Sequence, residues 1–573
     1  MAFPLLAELQ RRRVFRALVG YGVAAFAVLQ IIEPVMHGLH WPDVILTYVV
    51  AALAIGFPVV VALAWIFDVN QGRLERTAGA PLRARVALGL VGMGSLAAVP
   101  GLVYYLGMRR PHAPRTEPPA ASIAVLPLLN LSSDKEQEYF SDGLTEELLD
   151  LLAKVPGLRV AARTSAFAFK GKNEDVSTIA RKLRVGNVLE GSVRKAGDRI
   201  RISTQLISAA DGYNLWSETY DRRLNDVFAV QDEIAKAVVS ALKLKLIDAP
   251  TAMDRRTGDA EAYTQYLLGK RLSHVNNVPA FGRAVQAFDK AVALDPGYAP
   301  AWAGLALARY FFGQESESAA SVHRWQEDAL AAAERAVALR GDLPDGYLAR
   351  GFIRDVYLWD WAGSKRDLDR AVKLGPEDTE ALSASAQLPR SLGDFPQAIA
   401  VFRKALDLDP LNPQTWSSLG STLLFAGQLD AAREALQRSL EISPEQDSTA
   451  VWLGASFIVE GQAAKALASS QRCSHELFRL FGAAIAEHDL GHEKQSRDAL
   501  ERMIAGHAHD AAYQIAVALA WRGEKDHAFE WLERAFTARD GGMVLLKVDP
   551  FLRSLHGDPR YIALMKKMNL PLD

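Results

Sequence analysis

One helix ending recurs along the second half of this chain at a fixed interval, and that interval limits the fold more than any other feature. It reads AVALDP at Ala291–Pro296, AVKLGP at Ala371–Pro376, ALDLDP at Ala405–Pro410 and SLEISP at Ser439–Pro444. Leu374, Leu408 and Ile442 hold the same place in the last three, 34 residues apart. Leu339 lies 35 before Leu374, in the altered ending AVALRGDLP. Such a period marks supersecondary units that bury their apolar faces only against their neighbours.

Residue types follow the period. Trp416, Leu419, Gly420, Ala432 and Pro444 fall in one unit, Ala398, Phe402, Ala405 and Pro410 in the one before, and Leu453 and Gly454 in the next. Small residues let paired helices approach, large ones fill the gaps, and proline stops the second helix. This pattern resembles the tetratricopeptide repeat, which implies an all-α solenoid over residues 259–573 with a C-terminal cap. Degenerate units continue past Gly491 and Gly523, and seven or eight helical pairs are expected.

The concave wall of such a solenoid comes from the first helix of each pair, whose residues at i, i+3 and i+7 share a face. In phase, that face carries Tyr310 and Phe311, then Ile353, Val356 and Tyr357, then Gln387 and Arg390, then Leu424 and Phe425, then Val451 and Ile458. Tyr310, Phe311, Tyr357, Arg390 and Phe425 are the candidate protein-binding groove, suited to apolar side chains of a protein or peptide partner. The competing reading has the same residues packing between repeats or under the chain's own tail.

The N-terminal 110 residues differ sharply. Ala17–Met36, Val44–Phe67 and Val86–Met108 are apolar runs long enough to cross a bilayer as helices, which needs about 20 residues. They predict a three-helix transmembrane anchor. Arg11, Arg12, Arg13 and Arg16 precede the first run, and Arg73, Arg76, Arg83 and Arg85 separate the second from the third. That asymmetry predicts a cytoplasmic N-terminus and a C-terminal region in the periplasm. The expectation is a multi-pass protein of the bacterial inner membrane, with the lipid bilayer as a partner. Residues 111–121 form a proline-rich linker.

Between linker and repeats, SIAVLPLLN at Ser122–Asn130 suits a buried strand. The alternating stretch Asn187–Arg222 reads as a hairpin and a third strand, broken at Ala196-Gly197-Asp198 and Ala210-Asp211-Gly212. With its helical segments this makes a small α/β domain over residues 122–247. Its residues resemble the TolB N-terminal-like domain, found beside tetratricopeptide repeats in bacterial membrane proteins that sometimes also carry an adenylate cyclase. The resemblance implies an interaction module outside the cytoplasm, and the chain is expected to lack the cyclase. The fold class is therefore multidomain: a three-helix anchor, a TolB N-terminal-like α/β domain and an all-α repeat solenoid.

Chemistry is sparse. The 65 Lys plus Arg against 67 Asp plus Glu give a formal charge of −2, which excludes the overall basic excess of many nucleic-acid binders. No nucleic-acid partner is expected. A single cysteine, Cys473, excludes an internal disulfide and an all-cysteine metal site. His488 and His492 share a helix face without a third ligand and read as surface histidines. Asp142, Glu146, Glu147 and Asp150 invite a paired-carboxylate reading, but on an amphipathic helix a solvated face explains them. No catalytic residue, metal site or cofactor is assigned. These features predict a non-catalytic protein-binding scaffold. The alternative is a sensory subunit coupling an external ligand to a separate membrane signalling enzyme such as a cyclase. Oligomeric state stays open.

Overall fold

In a computed structural model, the described residues are 121–155, 157–242, 257–275, 277–314 and 319–572, with short N-terminal pieces at 21, 25, 28, 53, 67–70 and 73–76. The chain forms two compact units, Met1–Glu117 and Pro118–Asp573.

In the first unit, β1 (Phe67–Asn70) pairs antiparallel with β2 (Arg73–Arg76), Phe67 opposite Arg76. A membrane-crossing helix must satisfy its backbone within itself over some 20 residues. Phe67, expected to close the second span, is in a strand instead. Among the described residues no helix is long and apolar enough to cross a membrane. That overturns the three-helix transmembrane anchor, and with it the multi-pass inner-membrane localisation with a periplasmic C-terminal region. The rest of the three apolar runs falls almost wholly outside the described residues.

The second unit opens on a mixed sheet ordered β5-β3-β6-β7-β8, with β4 also pairing β6. Its strands are β3 (Ser122–Val125), β4 (Leu129–Asn130), β5 (Arg159–Val160), β6 (Asn187–Ala196), β7 (Arg199–Ser208) and β8 (Asn214–Arg223). β3 lies parallel to β5 and β6, while β6, β7 and β8 run antiparallel in sequence. Helices cover both faces of β3, so its apolar run does not alternate with polar residues. Ile123 and Val125 face α1 (Glu138–Ala153) and α4 (Val227–Ala241), through Phe140, Leu144, Leu148, Val230 and Ile234. Ala124 and Leu126 meet the other layer, α2 (Arg163–Phe167) and α3 (Val176–Leu183), where Ile179 and Leu183 are buried.

Sixteen helices follow as eight pairs among the described residues. The first pairs are α5 (Ala260–Ser273) with α6 (Val278–Leu294), α7 (Ala299–Gly313) with α8 (Ala319–Leu339), and α9 (Pro344–Ile353) with α10 (Trp361–Leu374). Next come α11 (Thr379–Leu392) with α12 (Phe395–Leu408) and α13 (Pro413–Phe425) with α14 (Leu429–Ile442). The series ends with α15 (Asp447–Val459) and α16 (Ala463–Ser470), α17 (Glu476–Asp489) and α18 (Glu493–His507), and α19 (Ala512–Trp521) and α20 (Lys525–Ala538). Two 3-10 turns, Gly541–Leu545 and Pro550–Leu555, and α21 (Pro559–Lys567) close the chain.

Local chemistry sets these boundaries. Gly393, Gly427 and Gly461, 34 apart, adopt φ of 89°, 75° and 76° between the two helices of their pairs. This left-handed conformation ends a helix at little cost only for glycine. Asp378, Asp394 and Asn412 cap the next helices, their side-chain oxygens accepting first-turn backbone N–H groups. At Gly420 an added Cβ would lie 2.5 Å from Leu436 Cγ, so only glycine lets α13 approach α14 this closely.

Candidate functional site

The solenoid encloses a cleft of about 350 Å³ between α7, α9, α11 and the C-terminal turn Gly541–Leu545. Tyr310, Phe311 and Phe352 supply its aromatic wall. Tyr310 meets Phe352 edge-on at 5.0 Å between ring centroids, and Phe311 lies 5.7 Å from Phe352. Phe311 is also stacked on Phe281 at 5.1 Å, and at 37% exposure it stands at the mouth. Val356 and Val544 add aliphatic surface, and Asp355, Gln387, Arg390 and Ser391 form a polar end.

Two irregular backbones place those polar groups. After α9 the helix widens into a π-turn, Arg354–Leu358, ended by Trp359 at φ 55°. Such insertions rotate the residues beyond them and are frequent at functional sites. Arg350 grips Asp367 of α10 in two parallel bonds of 2.7 and 2.8 Å, and Arg354 Nη1 adds a third at 2.7 Å. These bonds tie the π-turn to α10. Opposite, Pro389 interrupts α11 and removes one backbone donor immediately before Arg390 and Ser391.

Asp355, Gln387, Arg390 and Ser391 all line this one cleft, and one buried atom of each, Asp355 Oδ1, Gln387 Oε1, Arg390 Nε and Ser391 Oγ, lacks a hydrogen-bond partner. Asp355 is 3% exposed and Ser391 1%. Native interiors satisfy the large majority of such groups, each lost bond costing about 1–3 kcal/mol. Burial pushes the Asp355 carboxyl up to about 7, against the attraction of Arg390. Burial likewise pushes the Arg390 guanidinium down to about 10, with Asp355 opposing.

Of the five groove residues expected from the sequence, Tyr310, Phe311 and Arg390 line this cleft. Tyr357 lies under the C-terminal helices: its hydroxyl is 3.2 Å from His323 Nδ1, and His323 Nε2 is 3.3 Å from Thr537 O. Arg539 stacks over the neighbouring Trp359 at 3.9 Å. Phe425 is buried edge-on against Trp452 at 5.4 Å. Asp355 was missed by the helical count, although a lone acid within GFIRDVYLW is a visible signal.

Of the acidic residues of α1, Asp150 is exposed, but Asp142 and Glu146 do not lie on a solvated face. Asp142 and Glu146 are buried where α1 packs on α5. Asp142 pairs with Arg271 and, at 2.5 Å, with Lys170. Glu146 pairs with Arg163 at 2.6 Å and Lys270 at 3.2 Å. Burial raises the Glu146 pKa, but Lys270, His274 and Arg163 outweigh it and hold the carboxyl well below its usual range. The cluster docks the α/β domain on the first repeat. Elsewhere His488 and His492 pair with Glu493 and Glu487 at 2.9 and 2.6 Å, and Cys473 is buried with its thiol pushed up to about 11 by that burial.

Family models for the tetratricopeptide repeat match residues 354–413 and 390–455, which include the π-turn and all of α11. Residues 354–455 of the solenoid are tetratricopeptide repeats. The α/β domain matches another description: residues 119–237 fit the second domain of HilA/YgeH-like transcriptional regulators. A Rhizobium meliloti protein named "Putative adenylate cyclase 3" is 41% identical over 233 residues, 40% of this chain and 39% of its own length. The Escherichia coli bacteriophage adsorption protein A is 30% identical over 162 residues, 24% of this chain and 16% of its own length. The chain thus spans well under half of either relative. Among solved tetratricopeptide structures, a thermophilic protein of Thermus thermophilus is 19% identical over 34% of this chain and 99% of its own, with a TM-score of 0.30. YrrB, described as having an unusual peptide-binding site, is 23% identical over 33% of this chain and 89% of its own, with a TM-score of 0.23.

Proposed function

We propose that this chain is a non-catalytic scaffold whose tetratricopeptide solenoid binds a polypeptide partner, one residue of which enters the cleft. What supports this reading is the convergence on one concave space of an aromatic wall and four polar side chains, each with a buried atom left unpartnered. Tyr310, Phe311 and Arg390 contact the partner, while Tyr357 and Phe425 keep the repeats and the tail in the shape that holds the cleft open. The α/β domain, which resembles the TolB N-terminal-like domain, is fixed to the first repeat and serves as a second interaction surface.

Peptide-library selection against the full chain tests this, with Arg390→Gln as the counter-selected variant. Sequences retained by the chain and lost from the variant support the reading. Sequences retained equally by both, or no enrichment, contradict it. A second reading, a sensory subunit coupling a ligand to a separate signalling enzyme, draws on the relative named as an adenylate cyclase. A cyclase whose activity changes with the chain only when ligand is present would favour it.

A further inference from the structure

The unpartnered atoms define what the cleft lacks. Asp355 Oδ1 and Gln387 Oε1 are acceptors and call for donors; Arg390 Nε is a donor and calls for an acceptor; the Ser391 hydroxyl serves as either. Asp355 and Arg390 attract one another across the cleft but form no ion pair with each other among the described residues, so their unpartnered atoms are not satisfied by each other. Beside them stand three aromatic rings and two valines. The space, about 350 Å³, lies at the lower end of the roughly 300–1,000 Å³ of small-ligand pockets.

Resting on the reading of the cleft as a binding site, we infer that it recognises an unblocked α-amino group whose carbon carries an apolar side chain and an adjacent carbonyl oxygen. The ammonium supplies up to three donors, to Asp355, Gln387 and Ser391. The carbonyl or carboxylate oxygen accepts from Arg390, and the side chain lies against Tyr310, Phe311 and Phe352. The amino-terminal residue of a polypeptide and a free amino acid both offer this chemistry. A purely basic side chain leaves the Arg390 donor unmet and adds like charge beside it. A purely acidic group leaves the Asp355 and Gln387 acceptors unmet. Capture of a terminal amine by converging backbone or side-chain acceptors is an established recognition mode.

The test is calorimetric titration of the full chain with three probes: a Phe-Ala-Ala tripeptide, its N-acetylated form and free phenylalanine. The expected result is that acetylation weakens binding at least tenfold. Tighter binding of the tripeptide than of phenylalanine assigns the site to a chain terminus; equal binding assigns it to the amino acid. Asp355→Asn, nearly isosteric, is expected to remove most of the discrimination between free and acetylated peptide while thermal unfolding confirms the fold. If acetylated and free peptide bind equally to the unsubstituted chain, the inference is overturned, and the scaffold reading stands on internal segments. If none of the probes binds while the library still yields Arg390-dependent sequences, the inference again fails alone. Absence of both kinds of binding removes the scaffold reading as well.

Discussion

The backbone amide of Ser165 donates to Asp409 at 3.1 Å across 244 positions of sequence, and the Ser165 hydroxyl bonds the same carboxylate. That hydroxyl also accepts from Leu411 N at 3.0 Å, so α2 of the α/β domain is tied to the turn between α12 and α13. A second tie lies where α1 packs on α5 through Asp142 and Glu146. An added Cβ at Gly143 would stand 2.6 Å from Leu267, so the two helices are in close contact there. Held at both places, the domain does not swing freely on the repeats, and it braces α12 beside the cleft-lining α11.

Asp409→Ala removes the acceptor from Ser165 and leaves a buried amide unpaired. The expected cost is about 1–3 kcal/mol, measured by urea unfolding. Hydrogen exchange is expected to accelerate in α2 and in the 409–412 turn more than in α19 and α20.

The α1–α5 junction is predicted to fail in acid. Glu146 has a depressed pKa, so its pairing contributes stability above the unfolded carboxylate value of about 4.3, and that contribution is lost as pH falls below it. Lys270→Met leaves Glu146 without its largest opposing charge, at an expected cost of about 3–5 kcal/mol at pH 7. A double-mutant cycle with Glu146→Gln is expected to give a coupling of about 0.5–3 kcal/mol that shrinks steadily as pH falls below about 4.

Asp355 has the opposite sign. Its raised pKa means the folded state holds the proton more tightly than the unfolded one between about pH 4 and 7, so stability falls as pH rises through that window. The charged groups facing this region are Arg390 from α11 and Asp540 before the C-terminal turn, with Tyr310 from α7 beside them. Asp355→Asn is expected to raise stability at pH 8 by about 1–4 kcal/mol and to leave it unchanged below pH 4. Denaturant midpoints at the two pH values decide this.

Two glycines at equivalent repeat positions are predicted to differ. Gly420→Ala drives a methyl into Leu436 and is expected to cost about 1–3 kcal/mol. At Gly454 the nearest atom to an added Cβ is 3.4 Å away, and Gly454→Ala is expected to be neutral or to stabilise by up to about 1 kcal/mol through helix propensity. Thermal unfolding of the two variants separates them.

The repeats were legible in the sequence because their period is carried by chain-stopping residues. Gly393, Gly427 and Gly461 and the prolines at 376, 410 and 444 act locally, without help from tertiary contacts. The apolar N-terminal runs misled because hydropathy registers composition and not backbone state; Phe67 is as apolar in a strand as in a span. The acidic face of α1 misled for a related reason: two of its partners, Lys270 and Arg271, lie more than a hundred residues away. At the cleft, helical phasing reached Tyr310, Phe311, Val356, Gln387 and Arg390 but passed over Asp355. The π-turn at Arg354–Leu358 shifts the phase of the helix, and a count at 3.6 residues per turn cannot follow it.

The most direct test of the scaffold account is photocrosslinking in the native cells. Phe311→p-benzoylphenylalanine places the reactive group at the cleft mouth, and Lys404→p-benzoylphenylalanine places it on the exposed side of α12 as the control. The account predicts a discrete polypeptide adduct from position 311, absent from position 404 and lost when Arg390→Gln is added. The same adduct from both positions, or one that survives the loss of Arg390, would contradict it.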